Sequence, residues 1–123
     1  MRLLIVEDSA LIRSVTRLAF PAAAHQLTEA ENGRQALELL DRTLQPFDAI
    51  VLDLRMPEMN GVEFIHALRQ RPLHRDTPIV VACSEGEACD LHQAVRGLGV
   101  AAIVKKPWKP HELAEVVRRA CGG

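Results

Sequence analysis

Three acidic residues and one lysine of this chain stand where short apolar runs stop. Glu7 and Asp8 follow Leu3-Leu4-Ile5-Val6, Asp53 follows Ala49-Ile50-Val51-Leu52, and Lys106, with Pro107 after it, lies just beyond Ala101-Ala102-Ile103-Val104. Cys83-Ser84-Glu85 follows a fourth run, Ile79-Val80-Val81-Ala82. Three carboxylates gathered in one place repel one another. A hard divalent cation relieves that repulsion, and Mg²⁺ accepts carboxylates together with waters and phosphate oxygens. An aspartate beside such an ion can act as a nucleophile toward phosphorus and form an acyl phosphate. The Lys106 ammonium would neutralise an incoming anionic group. Taken singly, each residue has a simpler role. Asp8 with Ser9 can cap a helix, and Asp53 can form a turn. Only their convergence makes a site.

Convergence requires a particular arrangement of elements. The four runs are apolar throughout and rich in Val and Ile, which reads as strands covered on both faces. Between them lie segments of helical spacing: Leu11, Ile12, Val15, Leu18 and Ala19; Ala36, Leu37, Leu39 and Leu40 after the N-cap candidate Asn32; and Leu113, Val116, Val117 and Ala120. Each lays one stripe on a sheet. The more polar Gln26–Glu31 reads as an edge strand. Residues Glu85 to Gly99 form the weakest helical pattern, diluted by Gly86 and Gly97. Pro21, Pro46, Pro72, Pro78 and Pro110 fall at segment boundaries, where a missing N–H costs least. The alternation predicts an α/β fold of five βα units, with a parallel sheet, right-handed crossovers and helices on both faces. In such sheets ligands bind outside the carboxyl ends of the strands, where the polar residues stand.

Composition narrows the class. The length of 123 residues fits a single domain spanning 1–123, and 15 basic against 16 acidic residues give no overall field for nucleic acid or a membrane surface. The three cysteines, Cys83, Cys89 and Cys121, form no CxxC pair and have no His at metal-ligand spacing, so neither a disulfide framework nor a zinc site is expected. A reducing cytoplasm is the natural location, with no signal-peptide layout at Met1.

Three motifs carry a resemblance over essentially the whole chain: Leu-Ile-Val-Glu-Asp-Ser ending at Ser9, Val-Leu-Asp-Leu-Arg-Met-Pro-Glu-Met-Asn-Gly around Asp53, and Val-Lys-Lys-Pro-Trp ending at Trp108. With these the chain resembles the response-regulator receiver domain of two-component signalling. The resemblance implies a flavodoxin-like, doubly wound five-stranded sheet and a phosphoryl group taken from a histidine kinase or phosphotransfer protein in the presence of Mg²⁺. It implies Asp53 as phosphoacceptor, Asp8 as direct metal ligand, Glu7 as a ligand acting mainly through water, and the Arg55 backbone carbonyl as a further ligand. Lys106 matches the family's invariant lysine, and the Lys106–Pro107 bond is usually cis there. Output to an unknown downstream protein would pass through the face built from the last two helices and the last strand.

Two positions depart from the family pattern. Cys83 occupies the Thr/Ser position, and a thiol is a weaker donor to a phosphoryl oxygen than a hydroxyl. A slip of one residue would let Ser84 supply the hydroxyl instead. Ile103 stands where many members carry an aromatic switch residue, and the chain contains no Tyr. The alternative function is a degenerate pseudo-receiver that binds a partner without phosphorylation. A phosphatase using Asp53 would need a second acid two residues later, where Arg55 stands. A flavin-binding fold would need a phosphate cradle that Glu7-Asp8-Ser9-Ala10 does not offer. The expectation is therefore a signalling module rather than an enzyme.

Overall fold

In a computed structural model of the chain, residues 1–53, 59–84, 97–106 and 108–122 are described, except the side chains of residues 83, 84 and 106. Five strands form one parallel sheet: β1 (Arg2–Val6), β2 (Gln26–Ala30), β3 (Ala49–Asp53), β4 (Ile79–Ser84) and β5 (Ala102–Lys106), in the order β2-β1-β3-β4-β5. The described helices are α1 (Ala10–Ala19), α2 (Gly33–Arg42), α3 (Gly61–Arg69) and α4 (Pro110–Ala120), with a short 3₁₀ turn at Pro72–His74. This is the parallel α/β sheet expected from the alternation, in the flavodoxin-like form that the resemblance implies. The segment 85–96, Arg55 and Pro107 lie outside the described residues, and with them the expectations placed there.

Strand alternation divides the core in two. Leu4, Val6, Ile50, Leu52, Ile79 and Val81 face a layer containing Ala36, Leu37 and Leu40 of α2 and Phe64, Ile65 and Leu68 of α3. Leu3, Ile5, Val51, Val80 and Val104 face the other way, onto Ala19 and Phe20 at the end of α1 and Leu113 and Val117 of α4. Burying each Val, Leu, Ile or Phe side chain among these is worth roughly 1.5–3 kcal/mol, so both layers hold the sheet. Helix starts are fixed locally. Asn32 Oδ1 accepts from Gln35 N–H at 2.8 Å, and Asn60 and Glu63 form a reciprocal capping box.

One expectation needs correction. The stripe that α1 lays inward is not Leu11 and Leu18, which are 72% and 70% exposed. The fully buried positions of α1 are Thr16 and Ala19, with Ile12 and Val15 partly covered. Thr16 is accommodated because its hydroxyl donates to the Ile12 carbonyl at 2.8 Å, leaving its methyl to pack. Leu18→Gln is therefore expected to change unfolding free energy by less than about 0.5 kcal/mol in urea titrations. A loss of core-residue size would restore the original assignment. The last strand is an edge, as β2 is, and is packed on both faces as expected, with Ile103 against the α2–α3 side and Val104 against the side of α1 and α4. Its Ala102 and Ile103 are only partly buried. Among the described residues no helix is long and apolar enough to cross a membrane.

Candidate functional site

The strand order brings the acids together. Val6 pairs with Leu52, so the chain beyond β1 and the last residue of β3 meet at the same sheet edge. Each of Glu7, Asp8 and Asp53 offers a carboxylate oxygen, and these atoms lie within 4.8 Å of one another. The sequence expectation that these residues converge is met. Glu7 and Asp53 are buried, at 4% and 6% exposure, while Asp8 is open to solvent. The acceptor candidate thus sits inside the crevice, with an exposed acid at its mouth.

Local hydrogen bonds explain this division. Ser9, not Asp8, caps α1: its Oγ accepts from Ile12 N–H at 3.2 Å. Capping therefore does not occupy the Asp8 carboxylate. The Ser9 N–H donates to Glu7 Oε2 at 3.1 Å, turning the Glu7 carboxylate back over its own loop. The Glu7 N–H donates to the Ala30 carbonyl at 3.0 Å, which continues the β1–β2 ladder past the strand. Arg13, which the sequence reading passed over, donates from Nη1 to the Glu7 carbonyl at 2.7 Å.

On the other side of Asp53, the register pairs Asp53 with Ala82 and Ala82 with Val104. Cys83 pairs with Lys105 and Ser84 with Lys106, so β4 and β5 both run past the level of Asp53 toward the same edge. Strand β4 is longer than the apolar run alone suggested and includes both Cys83 and Ser84. Ile103 lies partly buried in β5, packed against the α2–α3 side of the core. Three close acids suit a hard divalent cation, because their mutual repulsion is relieved by its charge and all offer oxygen donors.

The chain matches the response regulator receiver domain over residues 3–118. A chemotaxis protein CheY homolog from Campylobacter jejuni is 31% identical over 123 residues, covering 99% of this chain and 93% of the relative. The solved structure of chemotaxis response regulator CheY4 of Vibrio cholerae superposes with a TM-score of 0.85 at 28% identity, covering 97% of each chain. The receiver domain of a sensor histidine kinase from Pseudomonas aeruginosa, described with a magnesium ion coordinated in its active site cleft, has the same fold. It superposes with a TM-score of 0.85 at 24% identity, over 99% of this chain and 98% of that one.

Proposed function

From the premise that this chain belongs to the response regulator receiver family, we propose that Asp53 accepts a phosphoryl group from a histidine kinase or phosphotransfer protein, with Mg²⁺ held at Glu7, Asp8 and Asp53. The observation that carries this reading is the meeting of those three carboxylates at the carboxyl edge of β1 and β3. The magnesium ion described in the Pseudomonas aeruginosa receiver supports the choice of metal. Asp8 and Asp53 would hold the ion directly, Glu7 mainly through water, and the Arg55 carbonyl would complete the protein ligands. Bound Mg²⁺ supplies neutralising charge at the phosphoryl oxygens.

The chain's own residues do the rest. An Asp53 carboxylate oxygen forms the new bond to phosphorus as the donor's bond to phosphorus breaks, and the donor leaves with that electron pair. Burial of Asp53 limits the access of bulk water to the product. Lys106 offers an ammonium to the added charge. Cys83, at the position of the family's hydroxyl, offers only a weak S–H donor; Ser84 is the substitute hydroxyl should the strand end shift. Output passes through the face that includes β5 and α4 to a downstream protein. Exposure to acetyl phosphate and Mg²⁺ should add one phosphoryl group, read by intact mass. An unmodified chain would favour a phosphorylation-independent interaction module.

The Cys83 position sets a second expectation. A conformational equilibrium shifts only by the difference in interaction between its states, and a weak donor gives a small difference. Cys83→Thr should therefore enlarge the phosphorylation-dependent NMR shifts around Trp108 at equal phosphorylation. Equal shifts in parent and variant would rule out coupling through this position.

A further inference from the structure

We infer that Arg13 is a positioning residue for the metal-binding turn, holding the Glu7–Asp8 peptide in the orientation that points Asp8 at the cation. The inference rests on the proposed Mg²⁺ site and names the residue that builds it. Arg13 is the fourth residue of α1, and its N–H donates to the Ser9 carbonyl at 3.0 Å, which ties it to the helix cap. Its side chain is only 13% exposed and turns back under the loop, where Nη1 meets the Glu7 carbonyl at 2.7 Å. That carbonyl and the Asp8 N–H share one rigid peptide plane. Fixing the oxygen therefore fixes the plane from which the Asp8 side chain departs.

The other atoms of Glu7 are held by separate partners. Its N–H is tied to Ala30 and its Oε2 to Ser9 N–H. Arg13 supplies the anchor for the carbonyl, and it is itself braced from β2. Arg13 Nε lies 3.4 Å from Glu29 Oε1, and Nη2 lies 4.0 Å from Glu31 Oε1. Glu29 is gripped in turn by Arg17, whose Nη1 is 2.6 Å from both carboxylate oxygens and whose Nη2 donates to Ser14 Oγ at 2.9 Å. A planar fork with several donors can bond a carbonyl and a carboxylate at once, which a lysine ammonium on a flexible stem does poorly. The chain of contacts thus runs from the β2 edge through Glu29 and Arg13 to the turn that carries Asp8.

A guanidinium at the turn that carries Glu7 and Asp8 could instead act by charge alone, and the two roles differ in sign. Bulk positive charge would weaken Mg²⁺ binding, so removing it would tighten binding. Loss of positioning would weaken binding even when the charge is kept. Arg13→Lys keeps the charge and removes the fork. In Mg²⁺ titrations of the full chain followed by heteronuclear NMR, its half-saturation is expected to rise about tenfold, the lower end of what losing a ligand-orienting partner costs. Its labelling rate by acetyl phosphate at saturating Mg²⁺ should match the parent, because the acceptor is untouched. Glu29→Gln should raise the half-saturation by a smaller factor, and thermal melting in EDTA reports whether each variant folds. Should Arg13→Lys not fold, Glu29→Gln carries the test. Unchanged half-saturation in the folded variants, or a lowered rate at saturating Mg²⁺ with unchanged half-saturation, overturns the inference while leaving the metal site standing. A parent chain that shows no saturation removes the metal site and this inference with it.

Discussion

Asp53→Asn treated with acetyl phosphate and Mg²⁺ is expected to show no added mass where the parent gains one phosphoryl group. The substitution is nearly isosteric, and the side chain it alters sits at the end of a strand buried along its whole length. What changes is chemistry. A carboxylate oxygen carries the negative charge and the lone pairs that attack phosphorus, whereas an amide oxygen is neutral and its lone pair is delocalised. The loss should be complete on the timescale of parent labelling, with no residual rate from the neighbouring acids. Glu7 is turned back onto Ser9 N–H, and Asp8 stands in solvent at the mouth of the site. A variant labelled at the parent rate would move the acceptor to one of these two residues. Far-ultraviolet circular dichroism should match the parent, which separates lost chemistry from lost fold.

Asp8→Ala is expected to weaken Mg²⁺ binding by about ten- to a hundredfold, or roughly 1.4–2.7 kcal/mol. Coulomb attraction at about 4 Å runs from about 2 kcal/mol for a divalent ion in bulk water upward as the dielectric falls, so an exposed carboxylate belongs near the lower end. The range follows from Asp8 being open to solvent while its two acidic neighbours are buried. Isothermal titration calorimetry of parent and variant measures it directly. Labelling should recover at high Mg²⁺ because Asp53 remains, a behaviour that Asp53→Asn cannot share. Indistinguishable titrations would remove Asp8 from the ligand set.

Much of this site could be read from residue order because strand runs and their terminal acids are local features. Four apolar runs located four strands, and Asn32 marked the start of α2 as a side-chain cap does. The failures share a cause. Helical spacing alone selected Leu11 and Leu18 as inward residues, but the direction an amphipathic helix faces depends on what packs against it. On α1 the positions that become buried are Thr16 and Ala19. The edge place of β5 is likewise set by chain crossover rather than by its own residues. Arg13 left no trace in the sequence reading. Its partners, Glu7 just after β1, Glu29 in β2 and Glu31 just after β2, lie outside its own helix, so only their pairing in space reveals it.

The pairing of β1 with β3, across β2 and α2 in sequence, bears on the history of each copy of the chain. A nascent chain that has emerged only as far as α2 contains Glu7 and Asp8 but no acceptor. A complete but unfolded chain contains Asp53 without the acids beside it, because Val6 and Leu52 must pair before the three carboxylates meet. Closing that non-local contact is an entropically costly step of assembly. On the proposed assignment, a half-made or misfolded copy has no working acceptor site and draws no phosphoryl groups from the kinase. Competence to receive the signal is thus tied to completion of the sheet.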